Sequence, residues 1–254
     1  MITIKNLRKA FGQKQVLNGI NLTIKDGETF CVIGKSGCGK SVLLKHVVGL
    51  LEGDEGYVEV DGKNVLNFSK DELFALRRRV GYVFQGAALF DSLTVFENVI
   101  ISQWEHGERD MNSLTKEAQR VLSAVGLLPT SSAEGFTKEW AILRDKKPSD
   151  LSGGMRKRVG VARALVGSPD YVFYDEPTTG LDPVTSEQID QLIAELAQNF
   201  KMTSVVITHD MFSVFKIADR VALLDKGVVC FEGDVQQLRE SKDNVVVEFL
   251  ERYV

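Results

Sequence analysis

The sequence is poor in three things, and each shortage closes off a class of protein. It has three cysteines in 254 residues, Cys31, Cys38 and Cys230, with no CxxC spacing, which excludes a disulfide framework and a cysteine zinc site and leaves reduced thiols. Its longest apolar runs, such as Thr29 to Gly34 and Tyr171 to Tyr174, fall far short of the roughly 20 residues that cross a bilayer. Positive charge is not in excess: 31 Lys and Arg against 35 Asp and Glu give a net charge of −4, so there is no global basic footprint for nucleic acid. Any phosphate binding has to be local. The opening Met1-Ile-Thr-Ile-Lys-Asn alternates like a strand without the features of a secretory signal, from which a cytoplasmic chain is expected. What remains, 44% hydrophobic and 26% charged residues, is ordinary globular composition with material for a sizeable core.

Hydrophobic periodicity organises the chain. Ile2 to Leu7 and Glu28 to Ile33 read as strands, and the second runs into Gly34-Lys35-Ser36-Gly37-Cys38-Gly39-Lys40-Ser41 and then the apolar-periodic Val42 to Leu50. Short strands at Tyr57 to Val60 and Val80 to Phe84 flank a helix at Lys70 to Arg78. From Thr94 to Leu165 the period becomes helical, clearest at Glu117 to Val125 and Gly154 to Leu165. Strict alternation follows: strand Tyr171 to Asp175, helix Pro183 to Gln198, strand Ser204 to Thr208, helix Met211 to Ala218, strand Arg220 to Leu224. Alternation of this kind predicts a parallel sheet covered by helices. Asp225-Lys226-Gly227 turns into a last strand, Val228 to Glu232, and amphipathic helices close the chain.

Gly34 to Ser41 fits GxxxxGK[ST] between a strand and a helix. In that pattern glycines let backbone N–H groups approach a polyphosphate, the Lys40 ammonium reaches the terminal phosphates and the Ser41 hydroxyl ligates Mg²⁺. Cys38 contributes backbone to the loop, not sulfur chemistry. A mononucleotide site also needs an acid, and Asp175-Glu176 ends an apolar strand, where ligand crevices of parallel sheets lie. Asp175 is placed to hold Mg²⁺, and Glu176 to polarise an attacking water as general base. Leu151-Ser152-Gly153-Gly154-Met155 precedes a helix, and Ser152 with two glycines forms an anion nest at its N-terminus.

The three segments together resemble the ATP-binding domain of ABC transporters, over nearly the whole chain. The resemblance implies an α/β fold: a P-loop NTPase (RecA-like) core with a mainly parallel sheet, an N-terminal antiparallel β part and an inserted helical subdomain. One ABC ATP-binding domain would span 1–254, with the core and its β subdomain in 1–93 and 166–254 and the helical subdomain, carrying the signature segment, in 94–165. It further implies that Phe11 stacks on adenine and that Val42, like the loop before it, lies against the nucleotide. Gln85 resembles the Q-loop glutamine that senses Mg²⁺ and the attacking water, Gly180-Leu181-Asp182 the D-loop, and His209 the switch histidine that contacts the γ-phosphate. In this family Ser152, Gly153 and Gly154 complete the neighbour's site, so a single copy of each motif implies a homodimer holding ATP and Mg²⁺. An integral-membrane permease would be its partner, the chain sitting peripherally on the cytoplasmic face of the inner membrane.

The fifth signature residue departs from the family's usual Gln: it is Met155. With the segment from Gln85 to Val99 and the run Leu151-Ser-Gly-Gly-Met-Arg-Lys-Arg158, it resembles the ATPase of Mla/MCE-type phospholipid transporters. That resemblance implies ATP-driven phospholipid transport between membranes of the cell envelope, an MCE-domain lipid carrier as partner and a small regulatory subunit as an optional one. An ABC transporter for another solute is the alternative, since one engine serves many substrates. A non-transport ABC ATPase is a further one, disfavoured because the chain carries neither two cassettes nor a long coiled coil. A GTPase is disfavoured because no [NT]-K-x-D motif follows Asp175. Two segments stay open: Ala87 to Phe90, either a permease contact or internal packing, and Thr130 to Lys147, either a solvated surface insertion or an added partner contact.

Overall fold

Side chains of the central strands have no solvent side. In β3 (Thr29–Ile33), β7 (Tyr171–Asp175) and β8 (Thr203–Thr208), every residue but Asp175 is buried, as expected of strands covered on both faces. The computed structural model describes residues 1–253. Its larger sheet adds β6 (Val80–Val83), β9 (Arg220–Asp225) and β10 (Val228–Gly233) in the order β10-β9-β3-β8-β7-β6. All neighbours run parallel except β9 and β10, a hairpin. A smaller antiparallel sheet holds β1 (Ile2–Phe11), β2 (Lys14–Ile24), β4 (Glu55–Val60) and β5 (Lys63–Asn64) in the order β2-β1-β4-β5. The fold is the α/β class expected, with a mainly parallel sheet and an antiparallel β part.

Alternating residues of the large sheet feed two cores. Phe30, Val32, Phe173, Val205 and Ile207 face the small sheet and α1 (Lys40–Val47), while Cys31, Ile33, Val172, Tyr174 and Val206 face the helical side. Each such side chain contributes about 1.5–3 kcal/mol through burial. The helical side is built from α3 (Val95–Glu105), α4 (Met111–Ala124), α5 (Phe136–Arg144), α6 (Gly153–Leu165), α7 (Pro183–Phe200) and α8 (Met211–Ile217). Helix α2 (Lys70–Arg78) precedes β6, and α9 (Val235–Glu240) and α10 (Asn244–Tyr253) end the chain. Caps set the helix starts: Thr94 and Glu97 form a reciprocal capping box on α3, and Asp182 and Asp210 accept backbone N–H bonds at the starts of α7 and α8.

Two expectations are corrected. The first strand does not stop at Leu7. It continues to Phe11, turns at Gly12 (φ 60°) and pairs with β2, a strand that the expected order of elements lacks. Register shifts after Ile4, Leu7 and Lys9 interrupt the alternation by which a strand is read. Nor is Thr130 to Lys147 a solvated insertion. It carries α5, whose Trp140 and Leu143 are 7% and 5% exposed, with Phe136 packed on the same core. Phe136, Trp140 and Leu143 fall at helical spacing, so one face of a charged segment is apolar. Trp140 meets Phe96 of α3 edge to face, ring centroids 5.8 Å apart, and the Lys146 carbonyl accepts from Val95 N at 2.7 Å.

Candidate active site

Four adjacent strands deliver the site. The chain leaves the C-terminal end of β3 into the loop 34–41, of β6 into Gln85, of β7 at Asp175 and Glu176, and of β8 at His209. Parallel strands ending side by side open one crevice. Phe11, Ser36, Gly37, Gly39, Lys40, Ser41, Val42, Gln85, Asp175, Glu176 and His209 line it, with Lys14, Val16 and Ile207 completing the wall. Gly34, Lys35 and Cys38, the other residues of the loop, do not line the crevice: Gly34 is buried, and Lys35 and Cys38 are half-buried. Phe11 stands on the rim with its ring half exposed.

The loop's glycines have packing reasons as well as chemical ones. A Cβ on Gly34 would stand 2.3 Å from the Leu224 carbonyl oxygen, and one on Gly39 (φ 110°) 2.8 Å from Leu17 Cδ2. Neither position accepts a side chain, because β9 and β2 lie against the loop. Lys40 is 7% exposed, and its Nζ donates to the Gly34 carbonyl at 2.6 Å and the Lys35 carbonyl at 3.3 Å. Burial pushes the Cys38 thiol up against the opposing influence of Lys40, so it is protonated at neutral pH.

Oxygen donors meet across the crevice. Ser41 Oγ donates to Asp175 Oδ1 at 3.2 Å, and the Tyr82 hydroxyl donates to Asp175 Oδ2 at 3.2 Å. Burial and the Asp175 charge push the Tyr82 phenol up, so it stays a donor. A hydroxyl beside a carboxylate, with the Gln85 amide on the same crevice, is the sparse hard-oxygen set that suits Mg²⁺, which keeps waters and phosphate oxygens in its shell. Among the described residues no group of three His, Cys, Asp or Glu could hold an ion by itself. The donor set therefore fits a metal that arrives with a polyphosphate.

Glu176 is held at both ends. Its backbone is left-handed (φ 50°), its N–H donates to the Ile207 carbonyl at 2.8 Å, and its carboxylate accepts from Thr179 Oγ1 at 3.1 Å. His209 Nδ1 lies 2.8 Å and 3.0 Å from the two carboxylate oxygens. An ionised carboxylate only accepts, so Nδ1 carries the proton. Tyr82 and Thr179 were not among the residues expected here. Tyr82 is legible as a crevice-end residue of β6, and Thr179 only through its three-residue distance from Glu176.

The structure does not bring Ser152, Gly153 and Gly154 to this crevice. They form the N-terminus of α6, where Ser152 is exposed and its Oγ accepts from Met155 N at 3.2 Å. Leu181 packs against the core and Asp182 caps α7 through Thr185. Of the open segment 87–90, Ala87 is buried and Phe90 half exposed, so it serves packing at one end and surface at the other.

Comparison with known proteins agrees with this geometry. Residues 17–179 match the ABC transporter family, and the chain belongs to that family. It is 42% identical over 238 residues to the methionine import ATP-binding protein MetN of Carboxydothermus hydrogenoformans, covering 92% of this chain and 66% of that one. It is 35% identical over 250 residues to the intermembrane phospholipid transport system ATP-binding protein MlaF of Haemophilus influenzae, covering 98% of this chain and 90% of that one. Among solved structures, a dimeric ATP-binding cassette in a post-hydrolysis state with ADP and Pi superposes with a TM-score of 0.79 at 33% identity, covering 92% of this chain and 99% of the other. The chain is an ATPase of this family, and its cofactors are ATP and Mg²⁺. ABC ATPases work as dimers with a membrane permease. No helix among the described residues is long and apolar enough to cross a membrane.

Proposed function

We propose that the chain powers phospholipid transport between membranes of the cell envelope, as a homodimer docked through a permease on the cytoplasmic face of the inner membrane and served by an MCE-domain lipid carrier. Met155 at the fifth signature position carries the reading. The alignment with MlaF, which takes in 98% of this chain and 90% of that protein, supports it. The 42% identity to MetN favours a second reading, import of a small solute, because cassettes of one fold serve many substrates.

The chemistry is common to both. Lys40 and the backbone of Gly34 to Ser41 with Val42 take the phosphates, Phe11 lies under the base, and Ser41, Asp175 and Gln85 would hold Mg²⁺. When bound, the ion neutralises charge developing on the phosphates. Glu176 draws the proton of the attacking water while His209, already hydrogen-bonded to its carboxylate, orients it and faces the γ-phosphate. Ser152 to Gly154, away from their own crevice with Ser152 exposed and the two glycines half-buried, complete the partner's site. Residues 94–165 act as the helical subdomain that carries this segment.

Purification of the intact complex from its native membrane tests the substrate. Co-purification of an MCE-domain protein with bound phospholipid is expected; a soluble-solute-binding protein in its place would sink the lipid reading and leave the ATPase chemistry standing.

A further inference from the structure

Helix α6 does more than present Ser152 at its tip. Five residues on, about 7.5 Å along the axis at 1.5 Å per residue, stands Lys157, 6% exposed. Its Nζ donates to the carbonyl of Gln85 and lies 3.4 Å from the carbonyl of Glu176. One buried ammonium thus touches the two turns that carry the proposed metal-sensing amide and the proposed general base. Desolvation lowers the Lys157 pKa, and the negative charge of Glu176 opposes that.

The same flank of α6 grips the rest of the turn after β6. Arg163 donates to the carbonyls of Ala87 at 2.6 Å and Ala88 at 2.8 Å. Between the two cations, Gly160 gives the turn room: a Cβ there would meet Ala87 Cβ at 3.1 Å. Ala87 (φ 61°), Ala88 (φ 45°) and Glu176 (φ 50°) are all left-handed, a conformation that L-residues avoid unless the surroundings impose it. Cations on one helix face hold the carbonyls of these three residues. A neutral amide could make comparable hydrogen bonds without the cost of burying a charge, so the ammonium calls for a reason beyond packing.

From this geometry we infer that Lys157 is a positioning residue for ATP hydrolysis. It fixes the Gln85 turn and the Glu176 turn relative to each other and to the helix whose tip meets the partner's nucleotide. The inference rests on the proposed roles of Glu176 and of Ser152 to Gly154. Its signature is a loss of turnover without loss of nucleotide affinity, because Lys157 faces backbone carbonyls behind the crevice.

The test uses the full chain in its permease complex, with Lys157→Met, Lys157→Gln and Lys157→Arg. In Lys157→Met, kcat is expected to fall by about tenfold or more while KM and MgATP affinity stay within about twofold, and Lys157→Arg is expected to recover most of the rate. Lys157→Gln, which keeps a donor and loses the charge, should fall between them. Turnover of Lys157→Met within twofold of the parent would overturn the inference. So would a loss of MgATP binding in step with turnover, or failure of all three variants to fold, either of which would make the residue a support of the fold alone. Glu176→Gln in the same complex separates the two levels: if it does not accumulate an ATP-bound dimer, the underlying reading fails. If it does and Lys157→Met is unimpaired, only the positioning role fails.

Discussion

Asp190 offers a test of the electrostatics in which the sign and the size both follow from its surroundings. It lies on α7, 4% exposed, with Oδ2 accepting from Ser213 Oγ of α8 at 2.8 Å and Oδ1 buried without a hydrogen-bond partner among the described residues. Burial pushes the carboxyl up to about 6; the Ser213 hydrogen bond and Lys216 oppose this, while Asp210 and Glu187 add to it. In the unfolded chain the same group titrates near 3.8. The folded state holds the proton more tightly, so this carboxyl stabilises the fold fully below about pH 3.8 and the contribution is lost as pH rises through about 6. The whole difference is about 3 kcal/mol, of which about 1.4 kcal/mol falls between pH 5 and pH 7.5. Asp190→Asn keeps an acceptor for Ser213 and removes the charge. Urea unfolding of wild type and variant at both pH values should show the variant gaining about 1.4 kcal/mol on wild type between pH 5 and pH 7.5. Other carboxylates titrate in both chains and cancel. A gap between the two proteins that does not change with pH would refute the assignment of an ionisable, desolvated Asp190.

Three further outcomes are expected. Glu176→Gln should bind MgATP as wild type does and accumulate a nucleotide-bound dimer in gel filtration, and near-normal turnover would remove Glu176 from the general-base role. Lys40→Ala should weaken nucleotide binding itself, read by fluorescent-nucleotide titration; unchanged affinity would mean the loop does not cradle phosphate. Trp140→Ala should cost about 3–5 kcal/mol in urea unfolding with little change in MgATP affinity, since α5 packs on α3 away from the crevice; a loss under 1 kcal/mol would return α5 to the surface.

What the sequence disclosed tracks how local each signal is. Gly34 to Ser41, Asp175 and Glu176 were legible because each sits at the end of a strand buried on both faces, and such strands read as continuous apolar runs. His209 follows β8 in the same way. Strand β2 shows its alternation only in its second half, at Ile20, Leu22 and Ile24; Leu17 is buried out of phase with them and the register with β1 shifts three times, so the period is short. Trp140 reads wrongly for the opposite reason: among Lys138, Glu139 and Arg144 it looks solvated, but the helix turns Lys138 and Glu139 outward and lays Arg144 over the Trp140 ring, 5.7 Å from its centroid. Lys157 belongs to no motif, and Tyr82 is marked only by its place near the end of β6. Their partners Gln85 and Asp175 are 72 and 93 residues away in the chain, and only the fold brings them together.

The strand that launches the phosphate loop has both of its faces spoken for. Phe30 and Val32 belong to one core, Cys31 and Ile33 to the other, and β8 and β9 occupy its two edges. A chain slipped there by one residue would exchange the contents of two cores at once, so the position of Gly34 is locked to a fraction of a residue's length before any nucleotide arrives. Length changes are thus intolerable in these five residues, whereas the Gly62 turn, where an added Cβ would meet nothing within 4 Å, lies outside the crevice and leaves the loop's register alone.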